Sequence, residues 1–452
     1  MRKYIFFLLS LVAMPLAAQL ETTLEPVEAP FETGKIALPL IPQRQAEVKM
    51  NKKGLSTQAI QKAIDHMSEK GGGTVVIPEG TWTTGRIKLK SNVNLRIPEG
   101  AELRFSGEVK NYQPAVLTRY EGVEMMSLGA CIYANGAKNI AVTGNGKLTG
   151  PRLGCEIDAL EKNDDFVDQN IMAETPVDER LYDGQQGRRI FRPSFIGLMN
   201  CESVLIESLT MTNSIFWNIV TEYCDNVIIR KMIIDCNGTP RGDAVDIESS
   251  CNVLIEHCQV NTTDDAYVLK AGRGWDGLRV NRPTENVIIR YCLSRHSTGG
   301  VAIGSETAGG VRNVYVHDCT FENVQNGSYI KSCRIRGGGC SNIWMERIKM
   351  VRPRTAFYWD MLGKAKWAGE LAERLPMREL TPLTPEFRDI HFKDITVESC
   401  GTFIHAEGLP ERPIRNVTFE HIQATGQEFI KVADMDAKFD NVVFNGLGID
   451  WK

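Results

Sequence analysis

A short apolar phrase, opened by a polar turn residue, recurs along most of the chain. Asn139-Ile140-Ala141-Val142 is followed by Ser203-Val204-Leu205-Ile206, Asn226-Val227-Ile228-Ile229, Asn252-Val253-Leu254-Ile255 and Asn286-Val287-Ile288-Ile289. Asn313-Val314-Tyr315-Val316, Asn342-Ile343-Trp344-Met345, Asn416-Val417-Thr418-Phe419 and Asn441-Val442-Val443-Phe444 continue the series. From Ser203 to Asn342 the spacings are 23, 26, 34, 27 and 29 residues, and the last two phrases lie 25 apart. A repeat of this length is too short for an independent domain and suits one coil of a solenoid, buried against its neighbours. The phrases are rich in β-branched residues and bounded by Asn, Asp or Gly, which predicts short strands between turns. The fold class this pattern predicts is all-β, a single parallel β-helix.

Upstream of the repeat, Ile60, Ala63, Ile64 and Met67 fall at helical spacing within Thr57–Glu69. This predicts an amphipathic helix that caps the open end of the solenoid, where unpaired strand edges would otherwise be exposed. Gly71-Gly72-Gly73-Thr74-Val75-Val76-Ile77-Pro78 then begins the strands. Residues 19–50 are Pro-rich and read as an irregular lead-in. Two insertions break the period, and insertions in solenoids map to loops, often on the binding face. Residues 152–190 are polar and acidic, with Asp164, Asp165 and Asp168, and are expected to be a solvated loop. Residues 352–388 hold Trp359, Trp367 and a helical stretch over Lys364–Leu375, with the two Trp residues expected to pack beneath the loop.

The N-terminus carries Met1-Arg2-Lys3-Tyr4, an apolar run over Ile5–Val12 and the small residues of Met14-Pro15-Leu16-Ala17-Ala18, the pattern of a secretory signal peptide. The expected organisation is therefore a signal peptide over 1–18, the lead-in over 19–50 and one β-helix over 51–452. Its run is far shorter than the roughly 20 residues that span a membrane. No Cys near the cleavage site would take a lipid anchor. A secreted or periplasmic protein is expected. With 52 basic and 56 acidic residues the net charge is −4, which gives no electrostatic case for nucleic acid or an anionic membrane as partner. A monomer is the expected state. Among the 12 cysteines, Cys258, Cys292 and Cys319 each follow the Val of a phrase by five residues. Equivalent positions stack, so these predict a ladder of buried thiols, with disulfides as the alternative. No CxxC or HxxxH pair is present, and neither metal nor cofactor is expected.

One constellation can carry chemistry. Gly242-Asp243-Ala244-Val245-Asp246 precedes Thr263-Asp264-Asp265-Ala266, and Asp264 lies 21 residues after Asp243, about one coil. Asp243 and the Asp264–Asp265 pair can therefore share one face on adjacent rungs. Clustered carboxyls push one another's pKa values apart, giving a protonated and an ionised member at one pH. Hydrolysis of a glycosidic bond uses such a pair, an acid for the leaving oxygen and a base for water. Neighbouring strand residues face opposite ways, so both members of the pair reach one cleft only if the strand ends or bulges there. The bland alternative is Asp residues capping the turns between coils.

From about Thr57 to the C-terminus the chain resembles glycoside hydrolase family 28, the polygalacturonase-like right-handed β-helices. The resemblance rests on Gln58-Ala59-Ile60-Gln61-Lys62-Ala63-Ile64-Asp65 with the Gly71 stretch, and on Ser214-Ile215-Phe216-Trp217-Asn218-Ile219. It rests further on Asp264-Asp265-Ala266-Tyr267-Val268-Leu269-Lys270-Ala271-Gly272 and Gly299-Gly300-Val301-Ala302-Ile303-Gly304-Ser305-Glu306. Leu117-Thr118-Arg119-Tyr120-Glu121-Gly122 and Arg192-Pro193 are similar to the bacterial exo-acting branch. The resemblance implies hydrolysis of a pectic, uronate-containing polysaccharide or oligosaccharide with inversion. It implies Asp264 as general acid, with Asp243 and Asp265 holding and deprotonating the water. Lys331 matches the family's basic residue that pairs with a uronate carboxylate, Arg336 in Arg336-Gly337-Gly338 is a second anion contact, and Lys270 belongs to the Asp264 motif.

The chain departs from that pattern in places. Thr298 stands where the family has the His of Gly-His-Gly, with His296 out of register. Arg241 replaces the Asn of Asn-Thr-Asp, and Tyr329 replaces the Arg of Arg-Ile-Lys, losing a charged bidentate donor. The Asp of the segment Gly144-Asn145-Gly146-Lys147 is also missing. These changes put plain polygalacturonan in question and bring in a rhamnogalacturonan-type substrate. The long insertions would wall off a groove and so favour exo cleavage. The competing functions are a calcium-dependent pectate or rhamnogalacturonan lyase, whose ion the acids would hold, and a catalytically silent glycan-binding solenoid. In the carbohydrate readings, Trp359 and Trp367 become candidates for a sugar-stacking platform.

Overall fold

The repeated asparagine is where the backbone turns. In the computed structural model, which describes residues 23–50, 53–162, 164, 166–170 and 174–449, φ is 56° at Asn226, 56° at Asn252, 57° at Asn286, 55° at Asn313 and 55° at Asn342. This left-handed conformation is costly for most L-residues, and Asn tolerates it because its short amide bonds locally. The amides also bond from coil to coil. Asn286 Nδ2 donates to Asn252 Oδ1 at 3.1 Å, Asn313 to Asn286 at 3.0 Å and Asn342 to Asn313 at 2.8 Å.

Behind these corners the strands stack in parallel. Ile140, Val204, Val227, Val253, Val287, Val314, Ile343, Ile390 and Val417 pair in one continuous register. Each coil adds a strand to three such columns, as Asp225–Arg230, Ile233–Cys236 and Val245–Glu248 do. The result is a right-handed parallel β-helix with its aliphatic core inside. Two rungs differ from the sequence reading. Asp389-Ile390-His391-Phe392 is a full member of the column, with Asp389 at the corner (φ 55°) and accepting from Asn416. Val442, by contrast, pairs with Ile422 in another column, so the Asn441 phrase does not continue the first.

The helix α1, Thr57–Glu69, buries Ile60, Ile64 and Met67 against the first coils, as its spacing predicts. The lead-in runs over the outside of the Asn column. Leu24, Val27, Phe31, Ile36, Leu38 and Ile41 cover Ala141, Leu205, Ile228, Leu254 and Ile288, the phrase residues that point outward. That cover explains why the phrases are apolar on both faces. The lead-in also ends in a strand, Gln45–Glu47, paired with Thr74–Val76. The proposed signal peptide lies outside the described residues. All 12 cysteines are free, and Cys258, Cys292 and Cys319 are buried on successive coils.

The second insertion departs from expectation. Its helix covers only Ala365–Ala368, followed by a 3₁₀ turn over Gly369–Ala372. Gly369 (φ 55°, ψ −134°) ends the α-helix in a conformation that favours glycine. Trp359 points into the core among Phe357, Phe392 and Phe419, whereas Trp367 is 37% exposed. An antiparallel hairpin, Val116–Tyr120 with Val123–Ser127, stands off the solenoid. It is pinned by buried Arg119, which donates to Ser249 Oγ at 2.8 Å and lies 3.9 Å from Glu248.

The corner ladder yields a stability prediction. Asn286→Ala is expected to cost about 2–3 kcal/mol, from the left-handed backbone penalty and two lost hydrogen bonds. Asn286→Gly removes the backbone part and should cost about 1 kcal/mol. Urea unfolding midpoints of the two variants check the order; equal midpoints would remove the ladder's backbone role.

Candidate active site

Asp264 and Asp265 stand in the turn just before the strand Tyr267–Lys270, not within it. Strand alternation therefore does not send them to opposite faces. Asp243 occupies the equivalent turn one coil earlier, before Val245–Glu248. Backbone rungs lock these turns together. Ala244 N donates to Asp265 O at 3.0 Å, Asn218 N to Asp243 O at 2.8 Å and Thr298 N to Asp264 O at 3.0 Å. Asp243 and Asp265 are buried, and Asp264 is half-buried.

Two lysines at strand ends reach back over these acids. Lys270 Nζ lies 3.1 Å from Asp243 Oδ2, 3.2 Å from Asp246 Oδ1 and 3.8 Å from Glu306 Oε2, over the Trp217 ring at 3.9 Å. Lys331 Nζ lies 2.7 Å from Asp265 Oδ2 and 4.3 Å from the Tyr329 ring. Register explains the convergence, because Asp246 pairs with Val268 and Lys270 follows two residues on, pointing to the same side.

Burial dominates the electrostatics. It pushes the Asp264 carboxyl up, and the neighbouring Asp265 adds to the shift. It raises Asp246 from 3.8 to about 7, against the pull of Lys270. Asp243 also moves up through burial, with Lys270 opposing and the other three Asp residues reinforcing. Burial alone would lower Lys270, but Asp243, Asp246 and Glu306 hold its ammonium well above the usual lysine range. The site thus presents a carboxyl whose proton affinity burial raises, Asp264, beside another in an ion pair, Asp265 with Lys331. That is a donor and an acceptor on one face, the requirement of glycosidic hydrolysis.

These residues open into a cavity of about 440 Å³. Its wall on the side of the earlier coils is aromatic and buried. Tyr120 stacks on Phe216 at 4.8 Å and Phe216 on Trp217 at 4.9 Å, with Phe191 against Tyr120 at 4.4 Å. Its flank is a chain of ion pairs. Arg241 meets Glu121 at 2.9 Å, and Arg273 meets Glu306 at 3.0 Å and Glu121 at 3.2 Å. Arg336 meets Asp168 at 2.7 Å. Lys366 and Trp367 of the second insertion complete the lining.

Of the sequence candidates, Asp243, Asp264, Asp265, Lys270, Lys331 and Arg336 line this cavity. Tyr329 lies beside Lys331 without lining it, in edge contact with Tyr358 at 5.5 Å. Thr298 does not reach the cavity, and its hydroxyl donates to Thr263 O at 3.0 Å. His296 is also elsewhere, exposed and paired with Asn261. The first insertion is not the solvated loop its composition suggests. Asp164 is exposed, but Asp168 is drawn into the cavity by Arg336 and Arg273, and Val167 joins the aromatic wall. Asp165 lies outside the described residues. Sequence reasoning gave no role to Asp246, Glu306 and Arg273. Asp246 was detectable from its strand position, two residues before Glu248, while Glu306 and Arg273 sit in loops with no spacing signal.

Three comparisons agree with this geometry. The family model described as glycosyl hydrolases family 28 matches residues 182–356. A probable polygalacturonase of Vitis vinifera is 25% identical over 81% of this chain and 70% of its own length. An exo-poly-alpha-D-galacturonosidase of Dickeya chrysanthemi is 25% identical over 87% of this chain and 69% of its own. Among solved structures, the hyperthermoactive exopolygalacturonase of Thermotoga maritima superposes with a TM-score of 0.81 at 28% identity, covering 92% of this chain and 94% of its own.

The buried acids also set a pH dependence of stability. Asp246 is raised in the fold from 3.8 to about 7, so the folded state binds more protons than the unfolded state between those values. Stability attributable to Asp246 is therefore greatest at acid pH and falls as pH rises through this window. Asp246→Asn is expected to flatten that fall, read as unfolding free energy against pH. An unchanged slope would mean that Asp246 does not carry it.

Proposed function

Because the chain belongs to glycosyl hydrolases family 28, we propose that its cavity hydrolyses galacturonosyl bonds of polygalacturonan from the chain end, with inversion. The observation that carries the reading is the placement of Asp264 beside the Asp265–Lys331 ion pair (2.7 Å) on one face of the solenoid. Asp264, whose carboxyl burial shifts upward, donates its proton to the leaving glycosidic oxygen. Asp265 takes a proton from the attacking water, which Asp243 helps to hold. Lys270 and Lys331 balance the charge of these acids and face the uronate. Because water attacks directly, no covalent intermediate forms and the anomeric configuration inverts.

Exo action is supported by the shape of the cavity. The hairpin, the first insertion and the Ser214–Asn218 loop bring Tyr120, Phe191, Phe216 and Trp217 together as a solid wall beside Asp243. A long polymer cannot pass through buried aromatic packing, whereas a chain end can seat against it. The lyase reading is disfavoured by the partners of the acids, which are lysines where a calcium ion would need free carboxylates. A rhamnogalacturonan-type substrate remains the second reading, favoured by Tyr329 in place of a guanidinium beside Lys331. We place the enzyme outside the cytoplasm as an exported monomer with one catalytic β-helix over 51–452, on the N-terminal leader pattern and the continuous coil register.

Asp264→Asn is expected to lower kcat by about 10²–10⁴-fold on galacturonan oligomers, the usual worth of a positioned acid. Wild type should release monogalacturonate from the first time points, appearing first as the β-anomer in proton NMR. Activity should fall on the alkaline side as the raised Asp264 carboxyl loses its proton. Early release of mixed long oligomers would refute exo action. Turnover confined to rhamnogalacturonan fragments would select the second reading.

A further inference from the structure

Arg336 and Arg273 form a two-guanidinium seat at the flank of the cavity, and the chain fills it with a carboxylate of its own. Arg336 is buried, with its side chain 4% exposed, and its Nη1 and Nη2 donate to the two oxygens of Asp168 at 2.7 and 3.2 Å. Arg273 Nη1 lies 3.7 Å from the same carboxylate. The Nε atoms of both arginines are buried without a hydrogen-bond partner among the described residues. Forked donation to both oxygens of a carboxylate is the geometry by which arginine recognises acid sugars as well as Asp and Glu.

Arg273 is also held by Glu306 at 3.0 Å and Glu121 at 3.2 Å, so Asp168 serves chiefly Arg336, and it differs from the coil carboxylates of the cavity. Asp243, Asp246 and Asp265 belong to the coils, and moving them would break backbone rungs. Asp168 is carried by the five-residue helix Phe166–Asn170 of the first insertion. It lines the cavity, is half-buried, and reaches Arg336 across 168 positions of sequence. Burial would raise its pKa, but Arg273 and Arg336 hold it below the usual carboxylate range, so it stays an anion.

We propose that Asp168 is an internal stand-in for the carboxylate of a uronic acid. An entering uronate takes its place on Arg336 and Arg273, so Asp168 sets the affinity and acid selectivity of the cavity. This rests on the reading of the cavity as a galacturonosyl site. Exchange of one carboxylate for another keeps Arg336 compensated, while Arg273 retains Glu306 and Glu121, which avoids the large cost of leaving a buried charge alone. A neutral sugar offers no such exchange and must bind with Asp168 in place. Because the seat is free only when Asp168 has left it, the apparent affinity for a uronate is reduced by that fraction.

The test is calorimetric titration of the full chain with galacturonate and, as the neutral counterpart, galactose. In Asp168→Asn the Kd for galacturonate is expected to fall about tenfold, since a neutral amide competes weakly for the seat, while the Kd for galactose stays unchanged. Asp168→Ser should behave alike, and adding Arg336→Lys to Asp168→Asn should remove the gain. Galacturonate binding that is unchanged or weaker in both Asp168 variants, with circular dichroism unaltered, would overturn the stand-in role and leave Asp168 as a wall residue. Wild type that does not prefer galacturonate to galactose would instead overturn the galacturonosyl reading itself.

Discussion

The coil-to-coil register is the constraint from which the rest of this molecule follows. Parallel strands stack about 4.8 Å apart, so any residue is held one strand spacing from its counterparts in the adjacent coils. For aliphatic residues this builds the core without further specification, as the aligned Val and Ile of successive phrases do. For ionisable residues it forces like charges together. Asp243 and Asp265 share a backbone rung through Ala244 N, and no side-chain rotation can separate their turns. Burial of these turns, reinforced by the neighbouring carboxyls, raises the proton affinity of Asp243, Asp246 and Asp264, and chemistry at this face inherits that effect from architecture.

What keeps such a cluster from destabilising the solenoid is that cations arrive by the same register. Lys270 and Lys331 occupy matching strand ends two coils apart, related through Gly304 in the coil between. Lys270 serves Asp243 and Asp246, and Lys331 serves Asp265. Among the described residues Asp264 has no lysine at ion-pair distance, and its carboxyl oxygen accepts from the Asp265 backbone N–H at 3.1 Å. The environments of Asp264 and Asp265 thus differ by which acid a lysine can reach, and differing environments are what separate two carboxyls into donor and acceptor.

Much of the fold was legible because its signal repeats. One Asn phrase is a weak indication of a strand, but several at similar intervals define coils. The helix α1 was legible for the same reason, its apolar spacing having no competing period. What escaped had no period. Asp389 fills an Asn corner and was passed over, although Asp tolerates the left-handed region for the same reason Asn does. The outward-facing cover of Leu24, Val27 and Phe31 could not be read from a Pro-rich lead-in, since its partners lie more than a hundred residues away. Asp243, Asp264 and Asp265 could be placed on one face because motif and coil spacing coincide there, and Lys331, read from its motif alone, lines the same cavity. Asp168 was missed because composition alone makes an acidic stretch look solvated, and only the fold shows two buried arginines across from it. Thr298 was expected near substrate from its motif position, yet its hydroxyl bonds to Thr263 O one coil back.

The same logic explains why a solenoid that could offer an open groove offers a closed cavity. A bare β-helix is uniform along its axis, and a face that binds one sugar on one coil can bind the next sugar on the next. Breaking that equivalence requires material that is not part of the repeat. Here it comes from three non-repeating pieces, the hairpin with Tyr120, the first insertion with Val167 and the adjoining Phe191, and the loop carrying Phe216 and Trp217. Their rings pack on one another and on Val220 of a coil strand, so the wall is a small core of its own beside Asp243. Arg119 ties the hairpin to buried Glu248 and Ser249, and Arg192 stacks over Phe216. The face that carries the acids is thus supplied by the repeat, whose register places them, while the wall of the cavity is supplied by segments that interrupt the repeat. Sequence change in those segments can alter which end of a glycan is admitted without disturbing a single rung beneath the aspartates.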